Sequence, residues 1–172
     1  SPGVLLEVSF HFGTLLAILV VFRRDLADLI RAGWAGTVLL LTGRRGELDS
    51  EAPGFYTCLA LVIGTVPAAL AGTMLESYIK PLFEGNLAAS GGFLVLTGLL
   101  LVTSRYARSG EYSSVGPAKG LGVGAAQALA LLPGISRSGV TITAGLHLRL
   151  ERETAARFAF LLAVPALLGA QG

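Results

Sequence analysis

The residues with most chemical capacity lie in one short run, Pro133-Gly134-Ile135-Ser136-Arg137-Ser138-Gly139, with Thr141 two positions further on. Pro133 and Gly134 stop a helix, and Gly134 can take the positive φ that a tight turn demands. Ser136 then stands where a helix N-cap would stand. The N–H groups that follow, from Arg137 to Gly139, point out of a helix end that carries about half a positive charge, which suits an anion. Arg137 adds a full charge and a planar fork that matches phosphate oxygens. Ser136, Ser138 and Thr141 supply hydroxyls, Arg137 and Thr141 share a helical face, and Gly139 keeps that face open. The blander reading is a proline kink whose arginine snorkels or pairs with a carboxylate. An arginine at mid-membrane costs about 2.5–3.5 kcal/mol on the insertion scale, which a purely structural role rarely justifies. An anion site is the expectation.

Three further polar residues interrupt apolar stretches. Glu7 and His11 are an i, i+4 pair with Thr14 on the same face, and intramembrane ionisable groups point to function. They read either as secondary site residues or as a pair that hydrogen-bonds and supports the bundle. Gln127, about two turns before the turn, reads either as a bond to another hairpin tip or as a helix contact.

The elements that must carry these groups are membrane-like. Of the 172 residues, 53% are hydrophobic and 14% charged, where soluble domains carry about 25% charged residues. The mean hydropathy is +0.71. A net charge of +2 argues against a nucleic-acid partner. Cys58 is the one cysteine and forms no intrachain disulfide. The 23 glycines suit close helix approach in a transmembrane bundle.

Apolar runs predict spans over 4–22, 55–75 and 87–102 and from about Ala155 onward. Pro67 is expected to bend the second and Pro165 lies in the last. Leu26 to Leu41 reads as an interfacial helix with Trp34 near the headgroups. Polar loops are expected at 42–53, 76–85 and 109–119. The segment of about 121–150 is split by Pro133-Gly134 into halves too short to cross, which predicts a re-entrant hairpin with its turn at mid-depth. Arg23, Arg24, Arg31, Arg44, Arg45, Arg105, Arg108, Lys119, Arg149, Arg152 and Arg157 then fall on one side, cytoplasmic by the positive-inside rule. Val66 to Gly72 faintly echoes Val164 to Ala170, a pattern that proline helices also produce by chance. The class is an all-α polytopic membrane helix bundle, one transmembrane domain over 1–172. The start at Ser1 and the end straight after an apolar run read as those of a fragment.

Three stretches carry a resemblance. Gly124-Ala125-Ala126-Gln127-Ala128-Leu129-Ala130-Leu131-Leu132-Pro133-Gly134-Ile135-Ser136-Arg137-Ser138-Gly139-Val140-Thr141-Ile142 resembles the second signature of the bacterial undecaprenyl-diphosphate phosphatases, the bacitracin-resistance proteins. Arg152 to Ala166, and Leu6 to Ala17 followed by Phe22-Arg23-Arg24, resemble the same family. The resemblance implies hydrolysis of undecaprenyl diphosphate to the monophosphate and phosphate, which recycles the carrier lipid of cell-wall peptidoglycan synthesis. It implies a multi-pass protein of the bacterial inner (plasma) membrane, two inverted repeats whose hairpin tips meet, and a divalent cation, magnesium or calcium. A homodimer is a further expectation. By resemblance the chain holds the diphosphate-binding half: Ser136, Arg137 and Thr141, with Gly134, Ser138, Gly139 and Gln127 around them. The first signature, a glutamate-rich helix and Pro-Val-Ser-Ser-Thr-Gly-His, is absent from these residues, so the chain alone is expected to be inactive. The nucleophile is then a residue of that signature or an activated water, with Ser136 reserved as the cap. A polyprenyl-phosphate transporter or flippase is the rival reading, because broken helices aimed at an anion are also transporter architecture.

Overall fold

The computed structural model describes residues 2–83, 87–107 and 110–169, apart from the side chains of 2–8, 11, 76, 77 and 79–83. Among the described residues the chain is all-helical, with a single isolated bridge between Tyr112 and Leu150.

Helix α1 (Pro2–Val21) is followed after one residue by α2 (Arg23–Leu41). Leu15 and Ile18 of α1 pack with Val164 and Leu167, and the Phe22 ring stacks on Phe160 at 5.8 Å. α2 is two-faced. Its inner residues Gly33 and Gly36 lie against Cys58 and Phe55, while Ile30, Trp34 and Leu41 face outward, Trp34 at 76% exposure. That division is what an interfacial helix requires. The expected loop at 42–53 holds more structure than its polarity suggests. A single turn at Arg45–Glu47 leads into a short helix, α3 (Leu48–Glu51), because Leu48 and Ala52 close a small core with Leu39.

The long α4 (Phe55–Phe83) stays helical past Pro67 and through most of the expected loop at 76–85. α5 is Leu87–Thr103, α6 Pro117–Leu129, α7 Arg137–His147 and α8 Arg152–Gly169. The core sits among α4, α6, α7 and α8: Ala60, Val123, Leu146, Phe158 and Leu162 are buried together. α4 and α6 run parallel and nearly touch, for Gly120 lies on the Ala60 carbonyl and Gly124 on that of Gly64. A Cβ at Gly64 would stand 2.7 Å from the Gly120 oxygen, so small residues set this spacing.

Two stretches, Phe55–Leu75 and Leu87–Tyr106, are long and apolar enough to cross a bilayer. Val62, Val66, Leu70 and Met74 on the first and Leu94, Val95 and Leu99 on the second are exposed. A continuous apolar surface of this kind is untenable in water and ordinary in hydrocarbon. By contrast α6 and α7, at about 20 and 16 Å, are each too short to cross alone.

A candidate anion-binding turn

The turn between α6 and α7 follows from its residues. The chain leaves α6 through the Ala130, Leu131 and Leu132 N–H groups, which bond to Gln127, Ala128 and Leu129 carbonyls at 3.0–3.2 Å. Gly134 has φ +94° and abuts the Ser90 carbonyl of α5, where a Cβ would collide. Both the conformation and the space demand glycine. Ser136 has the extended φ and ψ of an N-cap, and its Oγ accepts the Gly139 N–H at 3.2 Å. Its carbonyl accepts the Val140 N–H at 3.0 Å. Its own N–H donates to Thr97 Oγ1 of α5 at 3.2 Å. Ser138 Oγ is 3.4 Å from Ser136 Oγ and belongs to an exposed residue.

With Gly139 N–H given to the cap, the N–H groups of Arg137 and Ser138 have no acceptor among the described residues. Nη1 of Arg137 is buried and likewise has no hydrogen-bond partner there. A buried, unpartnered guanidinium nitrogen on the residue that opens a helix with two open N–H donors makes a donor set of the kind that suits an oxyanion. Thr141 is placed differently from a simple reading of the helical wheel. It is 1% exposed, and its hydroxyl donates to Arg137 O at 2.8 Å, so it braces the first turn from behind. Gln127 is 3% exposed on the α4 side of α6, with both amide atoms unpartnered among the described residues. The side chains of Glu7 and His11 lie outside the described set.

Two residues of the neighbourhood escaped the sequence reading. Ser90 and Thr97 are the hydroxyl residues between Leu87 and Val102, seven positions apart and so on one face. Both meet the turn. A hydroxyl on an otherwise apolar span was the available signal for Thr97, whereas Ser90 meets the turn through its backbone carbonyl.

Magnesium and calcium take oxygen ligands, carboxylates foremost. Among the described residues no group of three or more His, Cys, Asp or Glu could hold one. The turn offers a guanidinium, hydroxyls and N–H donors, a set suited to an anion, so these residues do not fit a metal ion.

An all-helical membrane bundle with a broken helix, whose turn leaves a guanidinium nitrogen and N–H donors without partners among the described residues, is the class that fold and geometry define. The whole chain, residues 1–172, matches the family described as bacitracin resistance protein BacA. It is 43% identical to the undecaprenyl-diphosphatase of Desulfosudis oleivorans, over 99% of this chain and 63% of that protein. Identity is 40% to that of Geobacter metallireducens, over 99% of this chain and 61% of that protein. It is 46% to that of an Anaeromyxobacter species, over 93% of this chain and 50% of that protein. The chain belongs to the BacA family, and it spans between 50% and 63% of the length of these relatives.

Proposed function

We propose that this chain is the diphosphate-binding part of a membrane undecaprenyl-diphosphate phosphatase, which converts undecaprenyl diphosphate and water to undecaprenyl phosphate and inorganic phosphate. The observation that carries the reading is the buried, unpartnered Arg137 Nη1 together with the open N–H groups of Arg137 and Ser138. Phosphoryl transfer needs charge stabilisation and positioning more than covalent help from the protein. Arg137 and the two N–H groups would hold phosphoryl oxygens, with Ser138 Oγ able to donate a further bond. Ser136 is a poor nucleophile here because its Oγ is engaged as the cap. The attacking oxygen is then a water or a residue outside this chain, and the 172 residues alone are inactive.

The same reading makes α6 and α7 a re-entrant hairpin of a multi-pass protein of the bacterial plasma membrane. His147 bonds Thr103 near Arg105, Arg157 bonds Asp25 next to Arg24, and Arg31 lines one cavity with Arg157, so these basic residues gather with Lys119 and Arg149 at the hairpin's base, which would be cytoplasmic. With Cys58 replaced by alanine, a cysteine at the exposed Ser113 should resist an impermeant reagent in intact cells, and one at Leu87 should react. The opposite pattern would overturn the orientation. A homodimer and a second, inverted repeat belong to the reading as well.

The test is release of inorganic phosphate from undecaprenyl diphosphate by the full-length protein in detergent, where no gradient exists. Turnover there supports hydrolysis. Movement of the lipid across vesicles without phosphate release would favour the flippase, which a broken helix aimed at an anion also serves.

A further inference from the structure

The turn is held from outside its own hairpin by one side chain of α5. Thr97 is 3% exposed, so water cannot replace its hydroxyl as a partner. That hydroxyl has one proton, and it donates to Phe93 O at 3.0 Å. Toward Ser136 it can therefore act as an acceptor alone, and it takes the Ser136 N–H at 3.2 Å. Its methyl is fitted as closely. A Cβ at Gly139 would stand 3.1 Å from Thr97 Cγ2, so the methyl fills the space that Gly139 leaves. A β-branched side chain holds χ1, which keeps hydroxyl and methyl on their separate targets. At the other end of α7 a second α5 hydroxyl, Thr103 Oγ1, meets His147 Nε2 at 2.9 Å. α5 thus lies along α7 as a splint, tied at both ends.

We propose that Thr97 is a positioning residue for the anion-binding turn. By accepting the Ser136 N–H it settles which backbone donors remain for the phosphoryl group, namely those of Arg137 and Ser138. It also fixes the peptide plane from which Ser136 presents its cap. The inference rests on the diphosphatase reading above. Its specific content is that orientation of the turn is set by α5 rather than by the hairpin alone. Preorganised donors act on developing charge, whereas ground-state binding of the lipid draws on its chain and on the Arg137 charge. Loss of the Thr97 hydroxyl should therefore lower kcat and leave KM nearly unchanged.

The experiment uses full-length protein in detergent with undecaprenyl diphosphate, alongside amide hydrogen exchange of the 134–139 segment. Thr97→Val should lower kcat about five- to tenfold with KM within about twofold, and should speed exchange of the Ser136 amide. Thr97→Ser, which keeps the acceptor, should recover kcat to within about twofold of the wild type. A Thr97→Val kcat within about twofold of the wild type would overturn the proposal. So would a serine variant as impaired as the valine one, which would reduce Thr97 to packing. Should Thr97→Val fail to insert, Thr97→Cys decides, since its thiol is a poor acceptor of serine-like shape. Equal kcat in the cysteine and serine variants would then count against the role. An unchanged Ser136 exchange rate in Thr97→Val, or in Thr97→Cys if the valine variant does not insert, overturns the bond whatever the activity. A wild type that releases no phosphate sinks the diphosphatase reading and the catalytic part of this one, while exchange still reports on the bond.

Discussion

Two arginines at opposite ends of the hairpin region carry the same charge in opposite surroundings. Arg157, near the start of α8, is exposed and doubly paired: it reaches Asp25 at the α1–α2 corner at 2.6 Å and Glu153 at 2.8 Å. Around it the hairpin's base is tied together. Arg149, at φ +65°, pairs with Glu111, its carbonyl accepts the Glu111 N–H, and Thr154 bonds Ser113 O. Arg137, at the tip, has Nη1 buried without a partner, and the nearest carboxylates in sequence are Glu111 and Glu151, both at the base. Paired surface arginines brace segments at small net gain. A guanidinium nitrogen buried and left open is costly to the folded chain and is expected where a ligand of opposite charge will meet it. The contrast separates a cation spent on bracing from one left open, without reference to sequence position.

The sharpest way to break that contrast is to change each arginine alike. In the full-length protein Arg137→Lys keeps the charge and loses the fork, and phosphate release should fall at least about tenfold with normal insertion. Arg157→Lys should change it less than about twofold. Similar losses in both would erase the distinction. Next in size is Gly134→Ala, which puts a Cβ on the Ser90 carbonyl and strains a positive φ by roughly 1–2 kcal/mol before the collision is counted. A lower unfolding midpoint and a several-fold loss of activity are expected, and a wild-type midpoint would mean the turn can move off α5. Ser136→Ala removes the cap at about 0.5–2 kcal/mol of local stability and should impair turnover without abolishing it. A phosphoenzyme trapped with radiolabelled substrate that vanishes in this variant would instead make Ser136 the nucleophile. Thr141→Val should cost less than Arg137→Lys, since that hydroxyl acts on the Arg137 carbonyl; a loss as large would give it direct contact with substrate.

The smallest effect belongs to the exposed pairs on the basic-loop side. The Arg44 guanidinium, hydrogen-bonded to Glu47, holds that carboxyl below the usual carboxylate range. A depressed folded value means a contribution present above the ordinary carboxylate value and lost as pH falls through the depressed one. Arg44→Gln should therefore flatten the acid limb of a stability–pH curve slightly. A visible shift at neutral pH would show the pair to be more than a surface contact.

Much of the fold was legible from periodicity and punctuation. The apolar runs located α1, α4, α5 and α8, and Pro133-Gly134 located the break between α6 and α7, because those signals are local. The loop expected at 76–85 shows where such reasoning stops: α4 remains helical to Phe83 despite Glu76, Lys80 and Pro81. Likewise α3 formed in an expected loop because Leu48 found a partner in Leu39, a contact between segments.

At the turn the residue types determined the helix stop, the positive φ and the cap, since the proline, the glycine and the serine ahead of Arg137 each act within a few residues of backbone. What the tertiary structure decided was which groups are spent and which stay open. Thr97, forty positions upstream of Arg137, supplies the acceptor for Ser136, and the Ser90 carbonyl closes the space beside Gly134. Hydrogen-bond partners across that separation depend on how α5 packs on α7. Packing is a property of surfaces brought together, so no window of sequence contains it.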